Sequence, residues 1–276
     1  MARVPIRSKK MRGGVRMVDP LAESSAVKDS VVIITGGARG VGGVLARRFS
    51  GVGAKVVIAD LLQAEGESLA SELRGLGAET FFHTTDVSSE QSLANLVKTT
   101  YQRYGRIDAL INNAAIYQGL GRKQEFTDIP VSEWDAVMTV NVKGTWLASR
   151  AVYPVMKAQK YGRIVNVASS AVYMGVPFFA HYVASKGAVI ALTRCLASEV
   201  GRDGLTVNAI APGLIDNESS RKLGSDDSFL LVAEQRAVPR GMVPDDVVGA
   251  VMFLCSSRAG FVTGQTLIVD GGAVFS

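Results

Sequence analysis

Tyr182 and Lys186 stand four residues apart in the run Tyr-Val-Ala-Ser-Lys. On a helix that spacing puts both side chains on one face. A fixed ammonium beside a phenol lowers the phenol's pKa toward neutrality, which suits it to take or give a proton. Ser169 lies thirteen residues before Tyr182 and closes an apolar run, where its hydroxyl can hold a substrate oxygen opposite that phenol. The plainer reading of the same residues is a packed Tyr beside a solvated Lys, with Ser169-Ser170 capping a turn.

A second group of residues points to phosphate. Thr35-Gly-Gly-Ala-Arg-Gly-Val-Gly42 follows a β-branched apolar run and precedes a helical pattern. Gly36, Gly40 and Gly42, with Arg39 and Val41 between them, allow a sharp turn and a close backbone approach to a pyrophosphate at a helix N-terminus. Glycines also fill tight turns for steric reasons alone; the position at the first strand–helix junction gives this run its meaning. Eighteen residues after Gly42 the next strand ends in Asp60, followed by Leu61. A carboxylate there accepts from the ribose hydroxyls and repels a 2′-phosphate. Arg39 pulls the other way, because a guanidinium pairs with a 2′-phosphate. The charge on the sugar edge decides, and NAD is expected over NADP. Asp86-Val87 and Asn113-Ala114 end two further strands on the same edge and join the expected cofactor contacts.

These residues need a scaffold that brings strand ends together. Strands are expected at Val31–Thr35, Lys55–Asp60, Glu79–Thr84, Ile107–Asn112, Arg163–Ala168, Leu205–Ile210 and Thr266–Val269. Most are continuous apolar runs, the mark of strands buried on both faces of a parallel sheet. Helical patterns at about 41–52, 63–75, 89–104, 132–158, 180–200 and 245–256 fall between them. Ser88/Ser89 and Ser132 supply N-cap chemistry. The expected fold is α/β, a doubly wound parallel seven-stranded sheet of Rossmann-like type with helices on both faces, in one domain over 29–276. The stretch 214–240 lacks strong periodicity and is expected to be a substrate loop.

Taken together, the motifs resemble the short-chain dehydrogenase/reductase superfamily, in its single-domain branch of about 250 residues. The resemblance runs from Val31 to Gly272 and rests on the glycine run at 35–42, Asn112-Asn113-Ala114, Asn141 in Val-Asn-Val, Ser169, Tyr182, Lys186, Pro212-Gly213 and Val262–Gly272. It implies that Tyr182 is the proton donor and acceptor, and that Lys186 lowers its pKa and holds the nicotinamide ribose. It implies that Ser169 orients the carbonyl or alcohol oxygen, and that Asn141 anchors a water in a proton relay. Pro212, Gly213 and Ile215 are implied to line the nicotinamide. Two positions depart from the family pattern: Ala115 where Gly is usual, and Asn217 where Thr is frequent. The substrate wall is expected to include Tyr117, Tyr173, Phe178 and Phe179, with Ile116, Val172 and Met174. Those side chains suit a hydrophobic or ring-bearing alcohol or carbonyl. The expected activity is therefore an NAD-dependent alcohol dehydrogenase or carbonyl reductase. The alternative is a 3-oxoacyl-thioester reductase using NADPH. A binding protein on the same scaffold is disfavoured, since Asn141, Ser169, Tyr182 and Lys186 are all present.

Composition sets the outer limits. The 276 residues are 47% hydrophobic and 20% charged, enough for a large core and unlike a disordered chain. Two cysteines exclude a disulfide framework, and two histidines leave no metal site by spacing. The net charge of +5 arises in a tail: residues 1–16 carry six basic side chains and no acidic one, leaving 24 basic against 25 acidic elsewhere. No basic stripe for nucleic acid remains. Residues 1–28 are read as a disordered basic extension, with Met17 as a possible start. No apolar run reaches the roughly 20 residues of a membrane span, and a cytoplasmic location is expected. Excess apolar surface on the helices near 132–158 and 180–200, and at 261–276, points to a homotetramer with D₂ symmetry.

Overall fold

Val31–Thr35 (β1) is a run of Val, Ile and Thr with every residue buried, and it is an interior strand of a parallel sheet. The computed structural model describes residues 26–117, 124–221 and 226–275. Lys55–Asp60 (β2), Thr80–Thr84 (β3), Ala109–Asn112 (β4), Gly162–Val167 (β5), Leu205–Pro212 (β6) and Thr266–Val269 (β7) complete the sheet in the order β3-β2-β1-β4-β5-β6-β7. All pairings are parallel. Alternate side chains of each strand enter different helical layers. Val32 and Ile34 pack with Leu45 and Phe49 of α1 (Gly40–Gly51), Leu69 of α2 (Gln63–Gly75) and Val251 of α10 (Val248–Cys255). Ile33 and Leu110 face Leu93 of α3 (Glu90–Tyr104), Leu147 of α5 (Gly144–Gln159) and Ala197 of α7 (Ala180–Val200). Burying each such side chain contributes about 1.5–3 kcal/mol. The expected architecture is the one observed.

Several boundaries differ, each for a tertiary reason. The expected helix at 132–158 is three pieces: α4 (Val131–Met138), a π-helical turn at Thr139–Lys143, and α5. Ser89 caps α3 as expected, its hydroxyl accepting from Ser92 N at 3.3 Å. Ser132 does not cap α4, because Pro130 already takes the extended N-cap position and Ser132 lies inside the first turn. The 214–240 stretch is in part helical, with α8 (Glu218–Arg221) and α9 (Asp226–Glu234); α6 (Ala171–Met174) is likewise added after β5. Val27 is buried in the core, so packed chain begins inside the span assigned to the extension. Residues 1–25, with their basic cluster, lie outside the described residues.

Candidate active site

The strand order reverses between β1 and β4, which opens a crevice at their carboxyl ends. A cavity of about 660 Å³ occupies it. On one side, Gly36 takes φ +63°, and a Cβ on Gly42 would stand 2.1 Å from the Gly36 carbonyl oxygen, so the turn and α1 meet only through glycine. Arg39 precedes α1 in extended conformation and no side chain caps the helix, leaving its N-terminal N–H groups to an incoming anion. Asn113 braces this turn from β4: its amide donates to the Thr35 and Gly36 carbonyls at 3.1 and 2.9 Å. Thr35 Oγ1 accepts from Asn113 N and Ala114 N at 3.1 and 3.2 Å. Asp60, at the end of β2, accepts from Ala38 N at 3.0 Å and Leu62 N at 3.1 Å, which fixes its carboxylate at the cavity edge. Asp86 accepts from both Ser88 N and Ser88 Oγ.

The other half of the cavity is built on β5 and α7. Tyr182 and Lys186 occupy one face of α7 and both line the cavity. Burial pushes the Tyr182 phenol up from its ordinary pKa; neighbouring Tyr117 adds to that, while a hydrogen bond with Ser169 pulls it down. Burial lowers Lys186 to about 8. Its ammonium donates to the Val167 carbonyl at 2.7 Å and lies 5.8 Å from the Tyr182 ring centroid. Burial outweighs the Ser169 bond, so the phenol stands above its ordinary value, and the Lys186 ammonium is turned to the end of β5. Tyr117, Phe179 and Tyr182 form an aromatic corner, with Tyr182 centroids 5.2 Å from Tyr117 and 5.0 Å from Phe179.

Of the residues singled out in the sequence, Gly36, Arg39, Gly40, Val41, Asp60, Leu61, Asp86, Val87, Asn113, Ala114, Tyr117, Ser169, Phe179, Tyr182, Lys186, Pro212, Gly213 and Ile215 line the one cavity. Five stand apart from its wall, among them Val172, which packs against the cluster of Ala168, Val189 and Ile190. Gly42 lies behind the turn it makes possible. Asn141, 1% exposed in the π-helical turn, accepts from Ile116 N at 2.8 Å and donates to Ser185 Oγ at 3.0 Å. Phe178 is 54% exposed at φ +63°, and Tyr173 faces a separate surface cavity with Arg194 and Gln265. Both leave the expected substrate wall because α6 and the turn after it point them outward. Ala115 is exposed and lines the cavity, and Asn217 caps α8 through Ser220 N at 3.0 Å. Thr85, Val140, Val176, Val232 and Arg236 also line the cavity and were not singled out. Arg236 donates to the Leu214 and Arg240 carbonyls at 2.8 Å each, tying the start of the 214–240 stretch to its end. Thr85 and Val140 adjoin residues that were singled out, and Val232 and Arg236 fall in the 214–240 stretch expected as the substrate loop, but no local pattern marks Val176.

A family model described as enoyl-(acyl carrier protein) reductase matches residues 36–274. The chain is 38% identical over 248 residues to the (2S)-[(R)-hydroxy(phenyl)methyl]succinyl-CoA dehydrogenase subunit of Thauera aromatica, covering 89% of this chain and 97% of that protein. It is 37% identical to 2-(S)-hydroxypropyl-CoM dehydrogenase 3 of Xanthobacter autotrophicus, over 90% of this chain and 98% of the relative. It is 34% identical to the 3-oxoacyl-(acyl-carrier-protein) reductase of Thermotoga maritima, over 90% of this chain and 99% of the relative. Among the described residues no helix is long and apolar enough to cross a membrane, and no cluster of three metal-ligating side chains occurs.

Proposed function

The chain belongs to the short-chain dehydrogenase/reductase superfamily, whose members are oxidoreductases using nicotinamide cofactors, and on that premise we propose that it interconverts a hydrophobic or ring-bearing alcohol and its carbonyl with NAD. The observation that carries the reading is the convergence of Ser169, Tyr182 and Lys186 on the cavity that also holds the glycine turn and Asp60. The uncapped start of α1 and the glycine-only approach at Gly36 and Gly42 fit a pyrophosphate. Asp60 fits ribose hydroxyls and repels a 2′-phosphate, which favours NAD over NADP. Lys186, Pro212, Gly213 and Ile215 would hold the nicotinamide half. A nicotinamide held there would supply reversible hydride transfer at the carbon that bears the substrate oxygen.

Tyr182 takes the hydroxyl proton as the hydride leaves, or gives it back in the reverse direction. Ser169 holds the same oxygen from the other side, and its bond to the phenol offsets part of the rise that burial causes. Tyr117, Phe179 and Val176 enclose the apolar remainder of the substrate and exclude water. The similarity to an acyl-carrier-protein reductase favours one alternative, reduction of a 3-oxoacyl thioester with NADPH; Asp60 and the near-neutral body beyond residue 16 speak against it. A panel of alcohols, carbonyls and 3-oxoacyl thioesters, followed by absorbance of the reduced cofactor with NAD and NADP compared, tests the reading. Turnover of ring-bearing alcohols with NAD is expected; preference for NADPH and thioesters would overturn it.

A further inference from the structure

Glu133 and Val137 on α4, and Asn141 in the π-helical turn beyond it, are spaced by four residues and share a face. That face meets α7 in two polar rungs with an apolar one between. Glu133 Oε1 and His181 Nε2 are 2.8 Å apart; Asn141 Nδ2 donates to Ser185 Oγ at 3.0 Å; buried Val137 packs with Phe179 and Tyr182. His181 and Ser185 are themselves four residues apart, and each stands one residue before a member of the reacting pair, Tyr182 and Lys186. One residue is about 100° of helical rotation. Two rungs on one face of α7 therefore fix the azimuth at which the next face presents phenol and ammonium to the cavity. His181 is 1% exposed, and its ring meets Phe179 edge-on at 5.8 Å. Glu133 is further held by Gln124 Nε2, 3.4 Å from each carboxylate oxygen.

Resting on the oxidoreductase reading above, we propose that His181 and Glu133 are positioning residues that aim Tyr182 at the substrate oxygen. Neither lines the cavity, so neither touches substrate or cofactor; both act through the rotation of α7. The glycine turn, Asp60 and Pro212-Gly213 lie on other elements, so cofactor affinity depends on this rung only through Lys186.

The test uses His181→Leu, Glu133→Leu, the double variant and His181→Gln, which keeps a side-chain N–H to donate to Glu133. NAD is the cofactor probe and 1-phenylethanol the alcohol. The phenol titration of Tyr182 is read as the near-ultraviolet difference between each protein and its Tyr182→Phe counterpart, with NAD present. Each Leu variant is expected to slow single-turnover hydride transfer ten- to a hundredfold, to move the phenol titration to higher pH through loss of the Ser169 bond, and to raise the NAD Kd by a few-fold at most, through Lys186 alone. The double variant matches the singles, and His181→Gln recovers most of the rate. A folded Leu variant with unchanged titration and rate overturns the proposal, as does a loss that His181→Gln fails to restore or one in which NAD affinity falls in step. Where His181→Leu fails to fold, Glu133→Leu, whose side chain is 26% exposed, reads the same rung. If wild type oxidises no alcohol, the functional reading fails, and the phenol titration still decides this one.

Discussion

Asp60 faces two tasks with one carboxylate. It accepts from Ala38 and Leu62, and it edges the cavity where a ribose would lie. Removing it deletes hydrogen bonds to a charged group, each worth about 1.5–3 kcal/mol, and also the repulsion of a 2′-phosphate. Asp60→Ala is therefore expected to lower kcat/KM for NAD at least tenfold and to narrow or reverse the preference over NADP, with Arg39 as the cation then favouring the phosphate. An unchanged ratio of the two kcat/KM values would locate cofactor choice elsewhere. Lys186 supports a second prediction. Its pKa is lowered by burial to about 8 in the folded chain, while the unfolded chain keeps the ordinary lysine value. Below about pH 8 the folded state therefore carries a desolvated charge, a penalty on the order of 3 kcal/mol. Between that pH and the ordinary value the unfolded chain holds the extra proton, and stability rises with pH. Lys186→Met lacks this dependence. Urea unfolding without cofactor should find the variant most favoured near pH 7, with its advantage shrinking toward pH 10; parallel pH curves for both proteins would contradict the assignment.

At the scale of elements, the junction of β1 and α1 is the most constrained point of the fold. A Cβ at position 42 would overlap the Gly36 carbonyl, and the neighbour is backbone rather than a yielding side chain. Gly42→Ala is expected to displace the turn and weaken NAD binding by more than tenfold, while the sheet core persists in circular dichroism; calorimetric titration with NAD measures it. This junction was legible in the sequence, because glycine spacing and β-branched runs are local signals. The ends of β1, β2 and β7 were equally legible. β6 runs on to Pro212 because Ala211 and Pro212 pair with Ile268 and Val269, partners far along the chain. The pattern at 132–158 read as one helix. The break at Thr139–Lys143 accompanies Asn141's bonds to Ile116 and Ser185, and neither partner is marked by local periodicity. Tyr173 and Phe178 were grouped with Phe179 by adjacency in sequence, yet the backbone sends only Phe179 inward.

For the whole molecule, the outer face of α7 presents Ala184, Ala191 and Cys195 to solvent, small residues that allow a second helix to approach. Trp146 on α5, Phe253 on α10 and Leu267 on β7 are also exposed, and Phe261 is fully so. Such apolar surface on several sides is expected to close as a homotetramer with D₂ symmetry, and sedimentation equilibrium at micromolar concentration measures it; a 29.2 kDa species alone would contradict that expectation. On the proposed reading, the crevice at the sheet's carboxyl edge, the glycine turn and the phenol of Tyr182 would act as one device for moving a hydride and a proton together. The most direct measurement of that claim is the single-turnover rate of nicotinamide reduction in Tyr182→Phe, beside its NAD affinity. A loss of nearly all turnover with NAD affinity within about twofold is expected, because only the proton transfer in the transition state is removed. Turnover at the wild-type rate in that variant would contradict the account.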